Sequence, residues 1–287
     1  MEYIYQIILN TIVLASLYSL LALGFNYLYS VNKFFDITFA TYLLFGAYSF
    51  FVFSKLTIVS LPLLVCIILS ILFVLLYAFL LEYLLLSKMK EKKTSGAVLL
   101  IATLGILSIV QAIVSIVFSS NVQTLSSQND SLSFLNINIT YVQIAYVFLA
   151  IISYLFCVFY LAKTKFGIQL RAVSDSFELA TVSKINVKKV RYIAIGISVF
   201  LATITAILYG MDTSIEPYMG LPLLLKAVIV AIIGGLGKIK YGFYSALFLA
   251  IIENITVWNI GGEWKDAVAF LVLIIVLLYK PKGIFEK

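Results

Sequence analysis

Residues 56–81 read LTIVSLPLLVCIILSILFVLLYAFLL, 26 positions without a single charge. A helix crosses the hydrocarbon layer of a bilayer with about 20 apolar residues, so this one run is long enough to span it. Outward from it the pattern repeats. No charge occurs between Glu2 and Lys33, from Ile37 to Ser54, from Thr94 to Asn129, from Ser131 to Ala162, or from Tyr192 to Met211. The whole chain is 63% hydrophobic and 11% charged, against roughly 25% charged in soluble domains. Membrane β-barrels read as alternating segments of roughly 10 residues, which these runs are not. In lipid each segment must satisfy its own backbone, and helices do so. The sequence therefore predicts an all-α, polytopic integral membrane protein of about 8–10 transmembrane helices, forming a single transmembrane domain over 1–287.

Composition also removes function classes. Histidine is absent, and with it the commonest metal ligand and the usual general base near neutral pH. Cys66 and Cys157 both fall inside apolar runs and read as small buried hydrophobes rather than a redox pair. No metal site and no catalytic residue is assigned. The first apolar run is too long for a signal peptide and lacks a basic leader, so it reads as a retained span. The net charge of +7 calls for no nucleic-acid partner, because the positions of the basic residues explain it.

Those residues cluster at Lys88–Lys93, from Lys163 to Arg191, at Lys238 and Lys240, and from Lys280 to Lys287. Short loops rich in Lys and Arg stay in the cytoplasm. The connections 119–140 and 212–222 carry no basic residue, and 259–266 carries only Lys265 beside Glu263 and Asp266. The expected spans are 5–29, 34–53, 58–86, 97–118, 141–162, 192–212, 223–237, 241–258 and 267–279. The N-terminus is then outside and the C-terminus in the cytoplasm. Around Lys33 and Asp36 the alternative is a break within one crossing. Segment 119–140 reads as a solvated loop with one short packed piece at Phe134–Ile139.

The cytoplasmic loop 163–191 is the longest. Within it Leu170, Val173, Phe177 and Ala180 recur at helical spacing, while Arg171, Ser174, Asp175 and Glu178 take the other side. This predicts one short amphipathic helix, with a weak pair between Arg171 and Asp175 four residues on. It is either a helix lying on the bilayer face or a docking element for a cytoplasmic partner.

Several stretches then fit one pattern. Gly167 through Val187, carrying Arg171, Asp175, Glu178, Ala180 and Ile185-Asn186-Val187, is one. Pro217-Tyr-Met-Gly220, Lys226-Ala227, Gly234-Gly-Leu-Gly237, Glu253, Asp266 and Tyr279 to Phe285 follow in order. Leu20 to Gly24 and Gly46-Ala-Tyr48 precede them. In order and spacing the chain resembles the permeases of branched-chain amino acid (Liv-type) ABC importers, over nearly its whole length. The resemblance implies an ATPase-coupling loop at Gly167, Arg171, Asp175, Phe177, Glu178, Ala180 and Asn186. It also implies cytoplasmic ABC ATPase subunits, a second permease subunit (hetero- or homodimer) and an extracytoplasmic substrate-binding protein, in the inner membrane. The chain itself is then no enzyme and binds no cofactor directly, ATP being used by the partner. Three departures stand out. Asp36-Ile-Thr-Phe-Ala40 replaces the family's usual Asn-Phe-Ala-His-Gly, Lys184 stands where Gly is usual, and Lys238 follows the glycine cluster.

Polar residues inside apolar runs mark functional positions by default. Asp36, Thr38 and Thr41 beside Gly46, with Pro217, Gly220 and the deep Glu253, are the candidate translocation path. Glu253 either lines it or pairs with Lys226 or Lys240. Glu82 and Lys226 lie near span ends and read as snorkelling side chains. Asp212 and Glu216 sit at an outer vestibule, where an acid meets a receptor, an ammonium group or only solvent. Gly234-Gly235-x-Gly237 has no preceding strand, so it reads as a helix end and tight turn rather than a phosphate loop. Two alternatives share the composition, an ion-coupled secondary transporter of a small solute and an ABC permease for urea or short amides. The missing His and the lack of a buried carboxylate pair or Ser–Lys dyad argue against an intramembrane hydrolase.

Overall fold

Each uncharged run forms a helix, as the need to pair every backbone group in lipid dictates. The computed structural model describes residues 2–56, 61–92, 94–124, 131–134, 137–280 and 283–285. Lys93, Lys282, Lys287 and the first residues of the expected span 58–86 lie outside these. The long helices are α1 (Glu2–Asn32), α2 (Thr38–Phe51), α3 (Leu63–Leu81), α5 (Gly96–Phe118), α6 (Tyr141–Lys163), α9 (Val187–Asp212), α10 (Gly220–Gly234), α11 (Gly242–Asn259) and α12 (Lys265–Tyr279). A π-helical turn, Val52–Leu56, extends α2, and another, Glu82–Leu86, joins α3 to α4 (Ser87–Glu91). Between α6 and α9 lie the short α7 (Lys165–Asp175) and α8 (Phe177–Val182).

Helix α1 is the central post, packed by α6, α9, α10 and α11, while α2 lies against α3, α5, α9 and α10. Small residues let these backbones approach, the usual solution where lipid offers no hydrophobic drive between helices. Ala15, Ser16, Ser19 and Ala22 of α1 are all buried. A side chain at Gly220 would place its Cβ 2.5 Å from the Ala40 carbonyl oxygen. The α10–α2 crossing therefore requires glycine there.

One end of the bundle is basic. Lys33 Nζ meets Ser174 Oγ at 3.2 Å, Lys90 donates to Asn32 at 2.9 Å, and Lys188 pairs with Glu91 at 2.8 Å. The Gly237 amide donates to Asn26 Oδ1 at 2.9 Å, drawing the α10–α11 turn to the same end. Burial lowers the Lys33 ammonium from the ordinary lysine range, with Asp175 working against it. The opposite end carries the Gln123–Ile215 bridge and a two-stranded hairpin of β1 (Ser131–Phe134) and β2 (Ile137–Thr140), in register from Ser131–Thr140 to Phe134–Ile137. The hairpin lies where one short packed piece is expected, and takes strand form.

The expected spans 5–29 and 34–53 are two separate helices, and the alternative of a break within one crossing does not hold. The break at 33–37 separates two helices running in opposite directions, because α9 is antiparallel to α1 and parallel to α2. Ser198 lies at Gly24 and Asp212 shares a cavity with Val13, while Thr203 lies at Gly46. Among the described residues six helices are long and apolar enough to cross a membrane, and α10 is a shorter apolar one. At 1.5 Å per residue, α10 and α12, with 15 residues each, reach about 22 Å of the ~30 Å core. Non-helical backbone at that depth is tolerated only where protein covers it or a cavity adjoins it. Such a cavity is present.

Candidate functional site

The cavity, about 400 Å³, lies where α10 and α12 begin. The first half of α1 supplies Val13, Leu14, Leu17 and Tyr18; α6 supplies Tyr146; the end of α9 supplies Tyr209 and Asp212. Lys226 of α10 and Lys265 and Asp266 of α12 complete its polar wall. Beneath it Glu253 of α11 is fully buried. Its carboxylate accepts from Tyr18 Oη at 2.5 Å and pairs with Lys226 Nζ at 2.5 Å and Lys265 Nζ at 3.5 Å. Lys226 also reaches Asp266 at 2.7 Å. Both lysines lie 6.0 Å from the Tyr18 ring. Four helices are thus tied by one charge network. A buried carboxylate is tolerated because these three donors, two of them cationic, compensate its charge.

A second network sits towards the basic end. Glu82, also fully buried, opens the π turn after α3 and pairs with Lys90 at 3.1 Å and Arg191 at 3.5 Å. Lys90 bridges it to Asn32, whose amide donates to Asp36 at 2.6 Å. Asp36 accepts from the Thr38 amide at 3.0 Å and its hydroxyl at 2.6 Å, closing the first turn of α2. Thr41 accepts from Tyr77 at 3.2 Å. The end of α1, the start of α2, the α3–α4 junction and the start of α9 therefore meet through one ionic and hydrogen-bonded chain. Thr41 lies one turn further along α2.

The loop 163–191 is anchored at one helix and exposed at the other. Phe166, Gly167, Leu170 and Val173 of α7 are buried against α1, α6 and α9. Gly167 sits so close to Leu161 that a Cβ would fall 2.2 Å from its carbonyl oxygen. Arg171 and Asp175 line a 420 Å³ cleft with Ser30, Lys33 and Gly237. Ser176, extended at φ −152° and ψ 120°, breaks the helix and caps α8 through the Leu179 amide. In α8 only Ala180 is buried, while Phe177, Leu179 and Val182 are 51%, 69% and 81% exposed. Asn186 caps α9 by accepting from the Lys189 amide at 3.0 Å.

These observations revise several sequence expectations. The amphipathic helix is two helices, and Phe177 does not share the buried face of Leu170, Val173 and Ala180, because the break at Ser176 rotates the register. Among the described residues no ion pair joins Arg171 to Asp175. Glu82 and Lys226 do not snorkel; both are core charges with partners. Glu253 pairs with Lys226 and not with Lys240. Gly234 ends α10, and Gly235 and Gly237 turn with φ +96° and +79°, in line with the turn reading. Of the candidate path residues, Asp36, Thr38 and Thr41 lie together at the α1–α2 turn. Gly46 packs on Thr203 and Ala206, Gly220 packs on Ala40, Pro217 is buried in the α9–α10 loop, and Glu253 belongs to the other network. Sequence reasoning passed over Tyr18, Tyr146, Asn32, Lys90, Arg191 and Lys265. The phenols and the amide are polar interruptions of apolar runs, a signal present but weaker than a charge.

A larger groove, about 670 Å³, lies between α3, α6 and α9 and is lined almost wholly by apolar side chains. With outward-facing Phe156 and Phe200 on its wall, it is a lipid-facing furrow rather than the site.

Residues 7–277 match the family model described as branched-chain amino acid transport system, permease component. The chain is similar to the high-affinity branched-chain amino acid transport system permease protein LivH of Salmonella typhimurium, 26% identical over 99% of this chain and 96% of that one. To the permease protein BraD of Pseudomonas aeruginosa it is 29% identical over 52% of this chain, about half (49%) of that relative's length. A probable branched-chain amino acid transport permease protein LivH of Methanocaldococcus jannaschii is 26% identical over 97% of this chain and 91% of its own. No solved structure matches.

Proposed function

The chain belongs to the permease component family of branched-chain amino acid transport systems, and from that membership we propose that it is the membrane-spanning subunit of an ATP-driven importer of branched-chain or other small amino acids. It is a multi-pass membrane protein. ATP is bound and hydrolysed by separate cytoplasmic subunits, and substrate is delivered by a binding protein at the opposite end. A second permease subunit completes the pathway. The basic end is cytoplasmic, because short Lys- and Arg-rich loops are retained there.

The observation that carries this reading is the contrast between α7 and α8. An apolar trio left exposed on a polar loop marks an interaction surface. Here Phe177, Leu179 and Val182 stand out from a helix whose neighbour is locked into α1, α6 and α9. Force applied to α8 by a moving ATPase passes through α7 to α1, which carries Tyr18 of one charge network and Asn32 of the other, and to α9, which carries Arg191 of the second. Alternating access needs two discrete arrangements, and breaking and remaking the ion pairs of these networks would separate them.

The test is co-purification of the ATPase with the full permease. An apolar residue at the centre of such a contact contributes more than ~2 kcal/mol, about thirtyfold in affinity. Leu179→Asp and Phe177→Ala weaken ATPase association by at least that factor while membrane insertion is unchanged. Undiminished association in both variants removes the docking role from α8.

A further inference from the structure

We propose that the cavity at the starts of α10 and α12 is a binding subsite for the zwitterionic head of a free α-amino acid, with Asp212 and the Tyr146 hydroxyl taking the ammonium end and Lys265 the carboxylate. This rests on the importer reading and gives it a substrate contact.

Unused bonding capacity points to the ligand. Tyr146 is 1% exposed and lines the cavity, and its hydroxyl has no hydrogen-bond partner among the described residues. A buried hydroxyl without a partner is costly, and a ligand in the adjoining cavity would relieve it. Among the described residues Asp212 accepts only from the neutral Thr140 hydroxyl at 3.4 Å and the Gln143 amide at 3.3 Å. Among the described residues no cation pairs with it. A carboxylate offers about four lone-pair sites, so Asp212 has room for an ammonium group. The cations differ in the same way. Lys226 is held by two carboxylates, Glu253 at 2.5 Å and Asp266 at 2.7 Å, whereas among the described residues Lys265 has one ion pair, a loose 3.5 Å to Glu253. Lys265 therefore retains donors for an incoming carboxylate. Val13, Leu14, Leu17 and Leu223 give the same cavity an apolar wall for a branched side chain. The volume lies at the small end of the ~300–1,000 Å³ typical of ligand pockets, which suits a single amino acid.

Alternatives fit less well. A metal ion finds no cluster of three suitable ligands among the described residues. A simple anion would meet Lys265 but also the unpaired Asp212.

The experiment measures binding of radiolabelled leucine to the purified full-length permease in detergent. Competitors are isocaproate, which lacks the ammonium, and isoamylamine, which lacks the carboxylate. Leucine competes at least tenfold better than either. Asp212→Asn removes its advantage over isocaproate, and Lys265→Gln its advantage over isoamylamine. Tyr146→Phe guards against a folding artefact. It deletes a hydroxyl with no partner in the empty protein, so thermal stability holds or rises while leucine binding falls threefold or more. Leucine binding within twofold of wild type in all three variants overturns the subsite. So does wild-type protein that binds leucine no better than the half-analogues. ATP-dependent leucine uptake, measured in parallel, separates the two claims. Uptake that persists at an unchanged rate in Asp212→Asn overturns the subsite and leaves the importer standing. Absence of uptake from the wild type with its ATPase and binding protein overturns the importer reading, and the subsite with it.

Discussion

Glu253 shows what a single charge does in this interior. It is fully buried and held by Tyr18, Lys226 and Lys265. Removing one partner of a buried pair leaves the other uncompensated, at a cost of about 3–5 kcal/mol, whereas replacing both is often near neutral. Glu253→Leu therefore lowers the thermal unfolding midpoint in detergent sharply, and Lys226→Met added to it recovers at least half the loss. Additive losses would mean that the two residues act independently. Gly220 makes a steric counterpart. Gly220→Ala forces the α10–α2 crossing apart at the Ala40 carbonyl, costing about 1–3 kcal/mol in the same assay. That Glu253 is a special residue was legible in the sequence, because an acid in the middle of an apolar run has few innocent explanations. Of its partners, Lys226 was one of two candidates beside Lys240, and Tyr18 was not among them. Lys226 lies 27 positions away and Tyr18 lies 235, and no local period links them. Glu82 was misread for a related reason. Distance from a helix end says nothing about whether α9 brings Arg191 over it.

Helical elements were readable wherever lipid dictates them. A charge-free run has one way to satisfy its backbone, so α1, α3, α5, α6 and α9 emerge from the runs themselves with small errors at their ends. The loop between α6 and α9 obeys other rules. Leu170, Val173, Phe177 and Ala180 keep a helical period, yet Ser176 prefers to cap the next helix through the Leu179 amide at 3.3 Å. A serine side chain that competes for backbone donors ends one helix as it starts another. The two helices should therefore respond differently to the same kind of change. Leu170→Ala opens a cavity in the α7 anchor, costing about 2–5 kcal/mol of stability. Val182→Ala, on the exposed face, leaves the melting midpoint unchanged within error. Paired thermal melts of the purified variants check this, and equal losses would mean that α8 is packed like α7.

At the scale of the whole molecule, the basic residues define one end and the short helices α10 and α12 define the cavity near the other. The first was evident from the distribution of Lys and Arg. The second depends on where helices begin relative to their neighbours, which the sequence leaves open. Single cysteines at Thr213 and Ser183, in a background carrying Cys66→Ala and Cys157→Ala, test the orientation. Both positions are exposed, at opposite ends of α9. Thr213→Cys labels with an impermeant maleimide from outside and Ser183→Cys from the cytoplasm, and labelling of both from one side contradicts a crossing by α9. The central claim, that a separate ATPase drives this permease, is tested most directly by the energy source of uptake. In cells carrying the chain with its companion subunits, leucine uptake should stop when ATP is depleted with the ion gradients maintained. It should continue when ionophores collapse those gradients while ATP is kept high. Uptake that survives ATP depletion and disappears with the gradient would make this protein an ion-coupled carrier and contradict the account.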